Sequence, residues 1–376
     1  MPATPFTSGK SMKASNMLRI VTPVTFAFLT GPAFAQSAGT SSVTLYGVVD
    51  AYVGAINSNG DTTKGADSGG LQVSRFGMHG AEALGGGTRA VFRLEGGYNT
   101  NNGTSSVAGQ MFARQSFVGF SNPEYGEVRL GKQNSVFFNM LGRTAAFYGG
   151  TFGAGLGTQS GYNFRNNNEI SYATPRWAGW RADTRYAFGD SYRHSKAGRV
   201  WQAALDYDAG RYYFLVAHVD NTLAPVNDAA YIGTRNRQTA IGGAYTFQPF
   251  TIYLGYFKNK QSDRSIDKDL YSLSVAWYMT ATDQLSLGWT YIDASADAAN
   301  IAPGYSRATH ANHFGAMYLH HVSKRTTLYA AGAWIDNSDG ARYAIGAAQA
   351  PNEYWRNRPE AGSATKGVQV GIRHMF

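Results

Sequence analysis

Few residues able to do covalent or metal chemistry stand together in this 376-residue chain, which contains no cysteine. Thiolate nucleophiles and a disulfide framework are therefore excluded. Acyl transfer needs an activated nucleophile and an oriented base. Asn312-His313 is the nearest approach to such an arrangement, but the serine it would need is not nearby and Phe314-Gly315 follows. His320 and His321 are adjacent, so on a strand they point to opposite faces and cannot share one metal. His310 and His313 have no carboxylate cluster around them in the sequence, as a metal centre would require. Asp263, Asp267 and Asp269 lack the spacing of a Ca²⁺ loop and read as solvated loop charges. Gly85-Gly86-Gly87 is followed by no helix that could cradle phosphate, and reads as a hairpin turn. The sequence thus predicts no enzyme, no metal and no cofactor. Any function must come from charge placement.

The elements that would place charge are strands. Charged residues make up 15 % of the chain, well under the usual quarter, while aromatics reach 14 % and glycine 45 residues. Mean hydropathy is −0.30. A polar chain rich in aromatics and glycine fits strands that face lipid and water alternately, although a secreted β-sandwich shares this composition. Period-2 alternation, the mark of a strand, runs through 43–56, 71–83, 88–99, 111–121, 126–134, 168–175, 180–188 and 199–208. It continues through 211–219, 237–246, 250–260, 269–278, 284–293, 312–321, 326–335 and 366–376. Sixteen such segments is an even number, as a closed bacterial barrel requires. In the last, Val368, Val370, Ile372, His374 and Phe376 share one face, the lipid side, and the chain stops on an aromatic residue at the membrane rim.

Links between these segments alternate in length. Short ones, such as Asn122-Pro123, Asp208-Ala209-Gly210 and Ser323-Lys324-Arg325, separate longer polar stretches at 57–70, 100–110, 189–198, 220–236, 294–311 and 336–365. One tight rim and one loop-bearing rim produce that alternation, which a sandwich has no reason to show. The stretch between Asn134 and Asn168 differs from the rest. It is too long for an idle loop and too apolar for a surface flap, and is expected to fold into the barrel.

Residues 1–35 carry Lys10, Lys13 and Arg19 with no acidic residue, then an apolar stretch from Ile20 to Leu29, then Ala33-Phe34-Ala35. That order predicts a secretory signal cleaved after Ala35, with Met12 an alternative start. Removing it takes three basic residues from 33 and leaves the 24 acidic ones, a net charge of +6. Such an excess can suit nucleic acid, but export argues against that partner.

SSVTLYGVVDAYVGAI (41–56), SRFGMHGAEALGGGTRAVFRLEGGY (74–98), FARQSFVGFSNPEYGEVRLGKQNS (112–135) and GVQVGIRHMF (367–376) together resemble the general porins of Gram-negative outer membranes. The resemblance implies a 16-stranded antiparallel transmembrane barrel over 36–376, assembled as a homotrimer. It implies that the third long loop, here about 135–167, forms the constriction. Its partners would be outer-membrane lipid and lipopolysaccharide, the outer-membrane insertion machinery, which reads Phe376, and small hydrophilic solutes. Wall arginines are matched by Arg75, Arg114 and Arg165, and Arg143 is the other charge on the loop.

Residue alternation agrees for two of them. Arg75 shares a face with Gly77 and His79, opposite Phe76 and Met78; Arg114 shares one with Ser116, opposite Phe117. A lipid-facing arginine costs about 2–4 kcal/mol at the membrane midplane, so lumen placement is favoured. Arg89, Arg93, Glu95 and Lys132 are further candidate lumen charges. Cation-preferring members of the family carry carboxylates on the inward loop, whereas 134–168 here holds no Asp or Glu. The expectation is a passive, anion-preferring diffusion channel, with Asp50, Glu95 and Glu169 able to restore some balance. A substrate-specific channel and a plugged structural barrel remain the alternatives.

Overall fold

In the computed structural model the alternating segments form one antiparallel sheet that closes on itself. The structure describes residues 41–147, 149–189, 197–223, 233–305, 309–346 and 359–376; the expected export signal at 1–35 lies outside them. Its strands are β1 (Ser42–Ser58), β2 (Asp61–Ser68), β3 (Arg75–Gly85), β4 (Thr88–Gly97), β5 (Gln115–Asn122), β6 (Gly126–Asn134), β7 (Arg165–Ala173) and β8 (Trp180–Ala187). Then come β9 (Val200–Asp208), β10 (Tyr212–Thr222), β11 (Arg235–Phe247), β12 (Phe250–Gln261), β13 (Ile266–Tyr278), β14 (Asp283–Asp297), β15 (Thr309–His321), β16 (Thr326–Asn337) and β17 (Thr365–Met375).

These seventeen strands make sixteen staves. Along the same edge of β1, Ser42–Val48 pair with β3 and Ala51–Ser58 pair with β2, so β2 and β3 are one stave interrupted at 69–74. The sequence reading therefore needs two corrections. The stretch 57–70 is mostly a hairpin, turned by Asn59 and Gly60, both at positive φ (58° and 84°), as a two-residue turn between twisted strands requires. The strand expected from 71 begins at Arg75, because 69–74 leave the ladder. Closure comes from β17, whose Met375–Thr365 pair with Val48–Ser58 of β1. Beyond that ladder Phe376 exchanges two backbone hydrogen bonds with Gly47 (3.0 and 3.1 Å). A Cβ on Gly47 would lie 2.2 Å from the Phe376 ring, so only glycine leaves the terminal aromatic its seat.

The outward row is apolar and exposed, the reverse of a soluble protein. Leu254 is 60 % exposed and Leu287 52 %. Near the short-link rim Tyr212, Tyr245, Phe247, Phe250 and Trp277 form a chain of ring contacts, with centroids 5.0 to 6.0 Å apart. Toward the other rim Tyr256, Tyr271 and Tyr291 form a second. Two aromatic girdles around an apolar band are what a bilayer selects. The buried apolar residues lie inside, where the loop after β6 meets the wall.

Leu254 sits between the two girdles. Leu254→Arg should cost about 2–4 kcal/mol of barrel stability, measured by denaturant-dependent folding into lipid vesicles. No measurable cost would mean that this face does not meet lipid.

Candidate functional site

The segment from Ser135 to Phe164 turns into the barrel. It carries two short helices, α1 (Val136–Leu141) and α2 (Leu156–Gln159). Its apolar side chains explain the direction: Phe137, Phe147, Phe152 and Leu156 are each at most 2 % exposed. The wall makes room for them with inward-facing glycines. A Cβ on Gly255 would lie 2.6 Å from Leu156, one on Gly288 2.4 Å from Phe147, one on Gly315 2.7 Å from Ala154 and one on Gly367 2.8 Å from Phe152. These glycines stand on β12, β14, β15 and β17, so the loop lies along that half of the lumen wall.

Hydrogen bonds fix the loop at both limbs and at its tip. At the start, Gln202 Oε1 accepts from Val136 N–H at 3.0 Å. Midway, Ser274 Oγ accepts from Ala146 N–H at 3.1 Å. At the tip, Thr151 N–H donates to the Gly70 carbonyl at 3.0 Å. On the return limb Lys268 Nζ donates to the Gln159 carbonyl at 2.9 Å while paired with Asp297 at 2.8 Å. Both side chains of that pair are at most 3 % exposed, so removing one partner would strand a buried charge, at about 3–5 kcal/mol.

The opposite wall carries arginines. Glu95 on β4 accepts from Arg114 Nε and from the Tyr46 hydroxyl, each at 2.7 Å, and lies 4.0 Å from Arg75 Nε. Arg165, where the loop rejoins the wall at β7, stacks over the Phe138 ring at 4.8 Å, and Arg114 reaches the same ring at 5.9 Å. Nε and Nη2 of Arg165 have no protein hydrogen-bond partner. The structure thus brings Arg75 and Arg114 to one carboxylate, with Arg165 beside Arg114 on the shared Phe138 ring. Arg93 adjoins them over the Tyr46 ring at 5.8 Å.

Other expected lumen charges are placed differently. Arg114 precedes β5 instead of lying on it, so its expected face-sharing with Ser116 fails: Ser116 belongs to the outward row of Val118 and Phe120, and Phe117 points inward. Lys132 is not a lumen charge. It shares the outward row of β6 with Val128 and Leu130 and bonds Gln110 and Asn167. Arg143 leaves the arginine cluster for the short-link side, pairing with Asp208 at 2.5 Å over the Tyr213 ring. There it lines a cavity of about 210 Å³ with Arg129, Arg176, Arg181 and their partners Glu127 and Asp206. Arg89 is exposed beside the β3–β4 turn, whereas Glu95 lies deepest of its row, opposite Gln115.

Asp50 and Glu169 do not face the lumen as free charges. Each has a relative exposure of 0 %. Asp50 accepts from three backbone N–H groups and Tyr329. Glu169 is held by Arg185 at 3.4 Å, Asn166 at 2.9 Å and Gln202 at 2.6 Å. Sequence reasoning left out Arg185, Lys268 and Arg373. The parity of the last strand does put Arg373 opposite Phe376, and it donates inward to Gln72 and Thr327. No group of three metal-ligating side chains exists among the described residues.

Comparison with known proteins agrees with this geometry. The Gram-negative porin family profile matches residues 23–340. The outer membrane porin protein 32 of Delftia acidovorans is 31 % identical, over 92 % of this chain and 96 % of its own length. An outer membrane porin of Bordetella pertussis is 28 % identical over 83 % and 93 %. Among solved structures, the anion-selective porin from Comamonas acidovorans superposes with a TM-score of 0.75 at 28 % identity, covering 90 % of this chain and 100 % of that one. With its closed barrel and infolded loop, the chain belongs to the Gram-negative porins: an outer-membrane diffusion channel for small hydrophilic solutes, and not an enzyme.

Proposed function

We propose that this porin prefers anions, and that Arg75, Arg114 and Arg165 form the selective wall of its constriction. One observation carries the reading: Arg75 and Arg114 have a single carboxylate between them, Glu95, Arg165 stands beside Arg114 over the Phe138 ring, and the loop they face contributes no acid. Asp50 and Glu169, the charges expected to offset them, are buried and compensated. Like charges in a narrow, low-dielectric passage focus the field and raise the local anion concentration. The Comamonas relative, described as anion-selective, points the same way.

The exported form starts at Gln36 and assembles as a homotrimer. Leu45 and Val49 stand 65 % and 38 % exposed on the outward face of β1, where a second barrel can pack, while Gly47 is taken by the Phe376 ring. Lipopolysaccharide surrounds the long-loop rim, where Arg235, Arg237, Lys258 and Lys260 stand at strand ends. Phe376 is the residue that the insertion machinery reads.

Three outcomes are expected. Replacing Arg75, Arg114 or Arg165 singly with Ser should lower the Cl⁻ over K⁺ permeability ratio in planar bilayers, whereas Arg199→Ser or Arg211→Ser should leave it nearly unchanged. Unaltered ratios in all three constriction variants would remove the cluster from the mechanism. Native mass measurement in mild detergent should give three chains starting at Gln36, and a monomer alone would contradict the assembly. Deleting Phe376 should sharply reduce the outer-membrane level while the protein that does insert keeps its conductance; normal levels would refute the signal role.

A further inference from the structure

The interruption of the second stave has a single organiser. Asp50, on the inward row of β1, is fully buried, and its carboxylate collects the N–H groups of the chain where it leaves the ladder. Oδ1 accepts from Gly70 N–H at 3.0 Å and from the Tyr329 hydroxyl at 2.6 Å. Oδ2 accepts from Leu71 and Gln72 N–H at 3.1 and 2.8 Å. The Asp50 main chain is engaged too: its N–H donates to Ser74 Oγ, and its carbonyl accepts from Gly69 N–H, both at 3.0 Å.

With its N–H groups turned to Asp50, the 69–74 fold presents carbonyls to the other side. Gly70 O accepts from Thr151 N–H at 3.0 Å and Gly69 O from the Thr151 hydroxyl at 3.3 Å, and Thr151 is the tip of the infolded loop. A Cβ on Gly70 would meet the Tyr329 hydroxyl at 2.4 Å, so the fold is packed to the wall behind it. Its far end is Ser74, and the next residue is Arg75.

We propose that Asp50 is the positioning residue of the constriction: one buried carboxylate fixes both the seat of the loop tip and the launch point of Arg75 on the facing wall. The proposal rests on the reading of the loop and Arg75 as opposing sides of the eyelet. An ionised carboxylate is needed there because it only accepts, and three N–H groups and a hydroxyl converge on it. An asparagine would set its NH₂ against backbone N–H in either amide orientation, against Leu71 and Gln72 in one and against Gly70 in the other.

The test is single-channel recording of Asp50→Asn and Asp50→Ala in planar bilayers, on protein whose barrel is verified by heat-modifiable migration. The expected result is a noisy open state with sub-levels and altered conductance, where the wild type is quiet. Thr151→Val, which keeps the barrel wall intact, should give a weaker form of the same noise. Because both act on one contact, the Asp50→Asn/Thr151→Val double variant should be no noisier than Asp50→Asn. If the Asp50 variants do not fold, Thr151→Val and Tyr329→Phe carry the test. Quiet channels of wild-type conductance with a raised anion preference would make Asp50 an ordinary lumen charge and overturn the proposal, as would additive noise in the double variant. A wild-type channel that prefers cations would count against the anion reading alone, because the noise measurement does not depend on the sign of selectivity.

Discussion

In hydrocarbon no water is available to a peptide N–H, and each unpaired group costs several kcal/mol, so a sheet that crosses a membrane must leave no edge. The pairing of β17 with β1 meets that requirement here, and the rest of the molecule follows from it. Closure forces one side chain of every two toward lipid, which makes the exterior apolar, and sends the other toward an enclosed space. At the interrupted stave the ladder fails, so the backbone at 69–74 has to find partners elsewhere. Asp50, Thr151 and Gln369 supply them, and a defect in the wall becomes the anchorage of the loop that narrows the passage.

Four carboxylates around the infolded loop and the arginine wall fall into two groups by what surrounds them. Asp50, Glu169 and Asp297 are buried among donors and hold structure together. Glu95 is the one that the arginine cluster shares, and its short bond to Arg114 leaves Arg75 and Arg165 less compensated. The infolded loop contributes fixing contacts and no acid. In the proposed mechanism the field across the constriction follows from which carboxylates are tied up in the wall, more than from the net charge of the chain.

Much of this was legible in the sequence. Alternation located all sixteen staves, and the glycine-rich, apolar stretch at 134–168 foretold a loop that would not stay outside. Parity placed Arg75 and Glu95 on the inward row. Errors arose where parity was carried beyond a strand end or was not applied. Extending the fourth expected segment back to 111, when β5 begins at Gln115, gave Arg114 a false partner in Ser116, and Lys132 shares the outward parity of Val128 and Leu130. The hairpin at Asn59-Gly60 was signalled by its turn residues and was passed over. The partners of Asp50, Glu169 and Arg143 could not be read at all. Tyr329 lies 279 residues from Asp50 and is brought to it by closure of the ring, and Asp208 lies 65 from Arg143 and is reached by the infolding of the loop.

In the proposed mechanism an arginine wall without a negative counterwall governs permeation. The most direct measurement is the zero-current potential of the wild-type channel across a KCl gradient, taken first at low and then at high ionic strength. Screening shortens to about 10 Å at 0.1 M and about 3 Å at 1 M. The account predicts a potential of the sign for Cl⁻ permeation that is largest at low salt and shrinks as salt rises. A potential of the opposite sign at low salt would contradict it.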